Sequence, residues 1–166
     1  MDKFESTTEK QIQPVNDQIV VFTLDDKFYA LPLNNVIRVI HIVEITPLPK
    51  APEIISGIIN VKGKIIPVVD LRKRFGVVSR EIDPDDQLVI ADTGKRNIAL
   101  WVDQVTGLND LLTRQWIETK ETMPFAQYIK GVAKIENDLI LIYDLEKFLN
   151  LSEELELEQA LLNKNK

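Results

Sequence analysis

From Gln18 onward the chain is a succession of short apolar runs broken by turn residues. The runs Ile19–Leu24, Phe28–Leu33, Val36–Val43, Ile65–Val69, Leu88–Ala91, Ile98–Val102 and Leu139–Tyr143 are rich in valine and isoleucine. Most are about five to eight residues long, the length and composition of β-strands. Several are apolar on both faces, which predicts strands covered on both sides. Residues 1–16 have a different texture, polar and mixed in charge without periodicity, and read as a flexible N-terminal tail.

The pattern also repeats. Gln18–Val39 laid over Gln87–Leu108 aligns Gln18 with Gln87, Val20 with Val89, Ala30 and Leu31 with Ala99 and Leu100, and Val36 with Val105. Ile55–Arg74 laid over Ile129–Phe148 aligns Ile55 with Ile129, Gly57 with Gly131, Ile66 with Ile140, Asp70 with Asp144, Leu71 with Leu145 and Lys73 with Lys147. Gly63 falls opposite Asn137, and both residue types tolerate the positive φ of a tight hairpin. This second segment of each copy predicts a strand, a hairpin turn, a strand and a short helix. Asp70 and Asp144 stand at the N-caps, where a carboxylate accepts bonds from free backbone N–H groups. Gly76 stands where the first helix should end.

The expected fold is therefore mainly β, with two copies of one small unit over about 18–77 and 87–150. Arg80–Asp86, which contains Pro84, links them. Small barrels hide their strand edges by closing, and two units of this size should share an apolar seam. A last helix is expected over about 152–163, capped by Ser152, with Glu153 and Glu154 at its N-terminus. Leu155, Leu157, Leu161 and Leu162 form an apolar stripe along it.

Composition narrows the functional classes. The 166 residues are 45% hydrophobic and 28% charged, as in an ordinary soluble globular domain. A net charge of −6 argues against a nucleic-acid binder, which needs a basic face. The one dense basic run is Arg72, Lys73 and Arg74, with Lys62 and Lys64 nearby in sequence. The absence of cysteine excludes disulfides and thiolate chemistry and fits a reducing compartment. Met1–Asn16 has no apolar run of the kind a secretory signal needs, and no stretch approaches the ~20 apolar residues of a membrane span.

No constellation of catalytic residues emerges. His41, the single histidine, has no second histidine or cysteine to work with and reads as a half-buried strand residue. Asp83, Asp85 and Asp86 lack the glycine and distal glutamate of a calcium loop and read as a solvated linker. Val61–Lys64 is not a phosphate loop. Trp101 reads as core, and Trp116, in a polar stretch, is the more open candidate for a partner anchor. The expectation is a protein that is not an enzyme and has no cofactor and no metal.

The span from Gly57 through Asn60-Val61-Lys62-Gly63, Ile66-Pro67-Val68-Val69-Asp70-Leu71 and Arg72-Lys73-Arg74-Phe75-Gly76 resembles the signature of the CheW family. Val21-Phe22-Thr23-Leu24, the proline-rich Thr46–Pro52 and Val102-Asp103-Gln104-Val105 also fit. The resemblance runs from about residue 17 to 151, so that 17–166 is expected to form one CheW-like domain. It implies two SH3-like five-stranded β-barrel subdomains around a shared core, and no catalysis. It further implies a cytoplasmic chemotaxis adaptor that binds the regulatory domain of the histidine kinase CheA and the helical hairpin tip of methyl-accepting chemoreceptors. Such adaptors alternate with kinase domains in rings at membrane receptor arrays.

By the same resemblance, a receptor groove should draw on Val36, Arg38, Val39, Gly57, Ile59, Lys62, Val105 and Leu108. The kinase contact should use Ile42, Val43, Ile45, Leu48 and Lys64. Core packing competes for Val36 and Val105, which occupy equivalent repeat positions, and backbone geometry competes for Gly57 and Gly63. The family usually carries glutamate where this chain has Arg38 and arginine where it has Lys62, so the opposite-charge pair expected there cannot form. That departure bears on partner recognition. A second reading is a divergent module, as in a pilus-type pathway, that binds the kinase and not standard receptors. A third, a barrel binding a nucleotide or other small ligand, has no phosphate cradle behind it.

Overall fold

The computed structural model describes residues 18–111, 116–117 and 128–164, with side chains described at all of them except 116 and 117. The expected tail and the side chain of Trp116 lie outside the described residues. Among the described residues there are eleven strands: β1 (Gln18–Leu24), β2 (Lys27–Pro32), β3 (Val36–His41), β4 (Ile55–Val61), β5 (Lys64–Asp70), β6 (Gln87–Asp92), β7 (Asn97–Val102), β8 (Gln104–Asp110), β9 (Trp116–Ile117), β10 (Ile129–Ile135) and β11 (Asp138–Tyr143). Two helices accompany them, α1 (Leu71–Phe75) and α2 (Leu151–Lys164), with single 3-10 turns at Leu33–Asn35 and Leu145–Lys147.

The sheets do not divide where the sequence copies divide. One sheet has the order β8-β1-β2-β11-β10-β9 and the other the order β3-β6-β7-β5-β4. The opening hairpin of each copy therefore pairs with the later strands of the other copy. β1 lies against β8, β6 lies against β3, and the parallel pairs are β2–β11 and β5–β7. In space the second sheet is the continuous segment 36–102, set between the two parts of the first, 18–32 and 104–143. The sequence copies 18–77 and 87–150 thus mark homologous segments, while the physical units exchange strands. The exchange happens where the chain leaves β2 through the Leu33–Asn35 turn and where it leaves β7 at Asp103.

The exchange is reciprocal to the residue. Val20 lies opposite Leu108 in one sheet, and their repeat equivalents Val89 and Val39 lie opposite each other in the other. Ala30 faces Ile142 as Ala99 faces Val68. Even the bulges recur, with Ile37 and Thr106 as the extra residues on β3 and β8, and Ser56 and Lys130 on β4 and β10. A bulge bends a strand and strengthens its twist, as closing a small barrel requires. Closure of the second sheet is completed by Thr46, which follows β3 and exchanges two backbone hydrogen bonds with Ile58 on β4, 2.9 and 2.8 Å. In the first sheet β9 takes the same place against β10, with Ile117 opposite Val132.

Three apolar clusters fill this frame. Ile19, Val21, Ala30, Ala133, Ile140 and Ile142 lie inside the first sheet, and Ile59, Ile66, Val68, Leu88, Ile90, Ala99 and Trp101 inside the second. The third cluster draws Phe22, Tyr29 and Leu31 from one sheet and Val69, Val89 and Leu100 from the other, and is the shared seam. Strand alternation sends one side chain into its own barrel and the next into the seam. That is why these strands read as apolar on both faces. α1 seals the seam: Asp70 caps it by accepting from the N–H groups of Arg72 (3.0 Å) and Lys73 (3.4 Å), and Gly76 ends it at φ +73°. Phe75 then stacks on Tyr143 of β11 with ring centroids 3.8 Å apart and planes 10° apart.

Two local expectations are revised. The last helix begins at Leu151, and its cap is Asn150, not Ser152. Asn150 Oδ1 accepts from Glu153 N–H at 2.7 Å, and Glu153 Oε1 accepts from Asn150 N–H at 2.9 Å. This is a reciprocal capping box. In the β10–β11 hairpin the positive φ falls on Glu136 (+58°) and not on Asn137, whereas the β4–β5 turn carries it on both Lys62 and Gly63.

Because the seam joins both sheets, the chain is expected to unfold in one transition. Phe75→Ala should cost about 3–5 kcal/mol, read as a lower urea midpoint in which near-ultraviolet and far-ultraviolet circular dichroism still coincide.

Candidate functional site

Closure of the second barrel depends on the absence of a side chain at Gly57. A Cβ there would lie 2.3 Å from the Thr46 carbonyl oxygen and 2.7 Å from Ile45 Cγ2, at a φ of +156°. Gly57 therefore lets the chain after β3 cross β4 in close contact. Ile42 extends β3 by donating its N–H to the Asp86 carbonyl at 3.0 Å, and Ile42 and Ile45 pack half-buried against the barrel interior.

Beside this crossing, β3 and the β4–β5 hairpin enclose a cleft of about 160 Å³ lined by Ile37, Arg38, Val61, Lys62, Lys64 and Ile66, among others. Three cations stand around it, and among the described residues none of them forms an ion pair. The apolar rim is accessible as well, with Ile37 51% exposed. An apolar floor with several positive heads suits a segment carrying both apolar and acidic side chains. Nothing in it resembles a catalytic dyad, and the described residues hold no group of three or more histidine or acidic side chains placed to bind a metal.

The structure brings some of the expected contact residues together and removes others. Arg38 and Lys62 share the cleft, and Lys64, expected at the kinase contact, joins them there. Val39 and Leu108 are exposed at equivalent positions on the edge strands β3 and β8. Val36 and Val105 rest half-buried against the shared seam. Ile59 is 2% exposed and fills the second barrel, Leu48 is 8% exposed and belongs to the seam, and Gly57 is buried under Thr46. Packing occupies these three, so they are not contact side chains in this fold. Of the expected kinase set, Val43 is exposed and Ile42 and Ile45 are partly so.

A buried ionic network escaped the sequence reading. Arg72, in the dense basic run, is 1% exposed, and Arg74 is buried too. Arg72 Nη2 donates to Asp25 Oδ1 at 2.8 Å and to Asp103 at 2.8 and 3.1 Å. Arg80 pairs with Asp103 and with both oxygens of Asp86, at 2.7 and 2.9 Å for the latter. Trp101 Nε1 donates to Asp86 Oδ2 at 2.8 Å, and the guanidinium groups of Arg72 and Arg80 lie 6.0 and 5.8 Å from its ring centroid. The Arg80–Asp86 linker is thus not a solvated loop at its end, because Asp86 is 2% exposed. Burial pushes the Asp86 carboxyl up, but the bonds from Arg80, the Asp83 amide and Trp101 outweigh it and hold the group below the usual carboxylate value. Arg80 is raised, chiefly by its bond to Asp86. His41 is exposed on β3, where a half-buried position was expected.

Comparison with known proteins fits this geometry. The family described as the CheW-like domain matches residues 18–153. The chemotaxis protein CheW of Thermotoga maritima is 30% identical over 132 residues, which cover 80% of this chain and 87% of that protein. The Klebsiella aerogenes protein of the same name is 25% identical over 146 residues, covering 85% and 86%. Among solved structures, the scaffolding protein TtCheW of Thermoanaerobacter tengcongensis superposes with a TM-score of 0.75 at 33% identity, covering 84% of this chain and 92% of that one.

Two outcomes test the architecture of the site. Gly57→Ala should lower stability by about 1–3 kcal/mol and increase amide exchange at Thr46 and Ile58 above that of the β6–β7 hairpin. Asp86→Asn should cost about 1–3 kcal/mol at neutral pH. Because the native Asp86 carboxyl titrates below its unfolded value, its contribution is complete above about pH 4 and is lost as the pH falls through the native value. Denaturation midpoints measured from pH 7 to pH 2 should therefore fall less steeply for Asp86→Asn than for the wild type.

Proposed function

The chain belongs to the CheW-like domain family, a family of non-enzymatic scaffolds, and from that premise we propose that it couples a CheA-type histidine kinase to the cytoplasmic tips of chemoreceptors. It is a chemotaxis scaffold, and its work is to hold partners at fixed positions. The single observation that carries the finer reading is the cleft of Arg38, Lys62 and Lys64 beside an exposed apolar edge strand. A receptor hairpin offers an amphipathic helical surface, and an apolar floor with a basic rim is complementary to one that carries carboxylates.

We assign the receptor contact to Arg38, Val39, Lys62 and Lys64, with Val36, Val105 and Leu108 along the β3 and β8 edges. The kinase contact falls to Val43 with the partly exposed Ile42 and Ile45. Buried Gly57, Ile59 and Leu48 support these surfaces from below. No helix among the described residues is long and apolar enough to cross a membrane. In the proposed role the protein resides at a receptor array through its bound partners, on the cytoplasmic side.

The replacement of an opposite-charge pair by Arg38 and Lys62 favours one alternative, a module that binds the kinase and not standard receptors. Both readings are decided by binding measurements with a purified kinase regulatory domain and a receptor tip fragment, each alone and then together. Simultaneous binding of both is expected. Lys62→Glu should weaken receptor binding at least about tenfold, a change of about 1.4 kcal/mol, and leave kinase binding within about twofold. Val43→Asp should do the reverse. Kinase binding without receptor binding in the wild type would establish the alternative, and binding of neither partner would refute both.

A further inference from the structure

Asp86 and Gln87 stand side by side where the linker enters β6, and each holds one of the surfaces assigned above to a partner. The Asp86 carbonyl accepts the Ile42 N–H at 3.0 Å, at the point where the chain leaves β3 for Val43. Val43 and Glu44 are exposed, and the chain is tied again by the two backbone bonds between Thr46 and Ile58. The kinase segment is thus a short span between two ties, and Asp86 supplies the first. Asp86 is itself buried and fixed, since its carboxylate accepts from Arg80, the Asp83 amide and Trp101 Nε1.

The half-buried side chain of Gln87 reaches the other sheet, where its Oε1 accepts the Val105 N–H at 2.6 Å. Val105 directly precedes the bulge residue Thr106 and begins the β8 edge assigned to the receptor. Its repeat equivalent is held differently. The Val36 N–H bonds the Leu33 carbonyl within the 3-10 turn, and Gln18, the equivalent of Gln87, donates instead to the Asp110 side chain at 3.1 Å. At the second crossing a single residue, Asp103, separates β7 from β8, and the Gln87 amide takes the place of a turn.

We infer that Asp86 and Gln87 are positioning residues for the two contacts: Asp86 sets the kinase segment through Ile42, and Gln87 sets the receptor edge through Val105. The inference rests on the contact assignment above and adds that two adjacent residues, neither of them a contact residue, govern the two affinities separately. A surface already held in its bound form loses less entropy on binding, and one that holds that form part of the time binds more weakly by that fraction. Loss of one neutral hydrogen bond of ordinary strength corresponds to about a three- to tenfold change.

Titration of full-chain variants with the kinase regulatory domain and with the receptor tip tests it, alongside amide exchange on the free protein. Gln87→Ala should weaken receptor binding about three- to tenfold and leave kinase binding within about twofold, with faster exchange at Val105. Gln87→Glu keeps an acceptor oxygen at the same reach and should restore both the affinity and the exchange rate. Asp86→Asn should weaken kinase binding by a similar factor, spare receptor binding and speed exchange at Ile42. Arg80→Gln loosens Asp86 from a partly exposed position and should act in the same direction, so the kinase arm does not depend on one buried substitution. Val43→Asp and Lys62→Glu, which alter the contacts themselves, serve as references. If these two weaken binding while the folded Asp86, Arg80 and Gln87 variants leave both affinities unchanged, or lower both alike, the inference is overturned and the contact assignment stands. Failure of Gln87→Glu to restore receptor binding would overturn it as well. If Val43→Asp and Lys62→Glu also bind normally, the contact assignment fails and the inference falls with it.

Discussion

Arg72 places a full positive charge where almost none of its side chain meets solvent, and the carboxylates of Asp25 and Asp103 answer it. The placement is costly, because an ion taken out of water must recover its hydration from protein partners. The site explains why the arrangement is kept. Asp103 is the residue at which the chain leaves one sheet and enters the other, and its N–H bonds the Thr23 carbonyl at 3.0 Å. Asp25 lies in the β1–β2 turn, and its N–H reaches Asp103 Oδ2 at 2.8 Å. The guanidinium thus fixes the crossing of one sheet against the opening hairpin of the other, and Arg80 and Asp86 extend the hold to the linker. At the opposite crossing, Leu33–Asn35, the Asn35 side-chain amide donates to the Asp92 carbonyl at 3.4 Å. The repeat is symmetric in its strands and bulges, but the position equivalent to Arg72 is Glu146, so this particular anchor is not duplicated.

Much of this fold was legible in the chain. Short valine-rich runs marked most of the strands, and the repeat marked positions that are equivalent in register and even in bulge. The partner of each strand was not legible. Two closed copies and two copies that exchange hairpins have the same apolar pattern, since both bury the same faces. The burial of Arg72 and Arg74 was not legible, because a basic run shows which of its members is buried only once the one-turn helix that carries it is placed against the seam, where only Lys73 points out. The helix cap was available in principle: Asn150 has a glutamate three residues on, whereas Ser152 has Leu155 there. The candidate site was half visible. Motif resemblance picked out Arg38 and Lys62, but which neighbours are surface and which are packing depends on the path of the chain from Ile42 to Thr46, and no local pattern encodes that path.

For a protein whose task is to hold other proteins, these features have a common meaning. The seam and the ionic crossing make the two barrels one body, so partners bound on different faces keep a fixed relation. The surfaces proposed for binding lie outside that framework, on edge strands and turns. Arg38 and Lys62 are exposed and can therefore be substituted without disturbing any buried contact, while the fold stays as it is.

The nested path of the chain also governs the order in which it can be assembled. The second barrel is built from the continuous segment 36–102 and is complete once Val102 has been synthesised. The first barrel cannot follow at once, because β2 pairs with β11 and joins residues near 28 to residues near 140. Its opening hairpin waits, with one edge unpaired, for roughly the last third of the chain. Long-range pairing of this kind slows folding and prolongs the exposure of strand edges. A β1–β2 hairpin that turns on two consecutive aspartates, Asp25 and Asp26, carries charge at its tip during that interval, as suits an edge that must stay unpaired until its proper neighbour arrives.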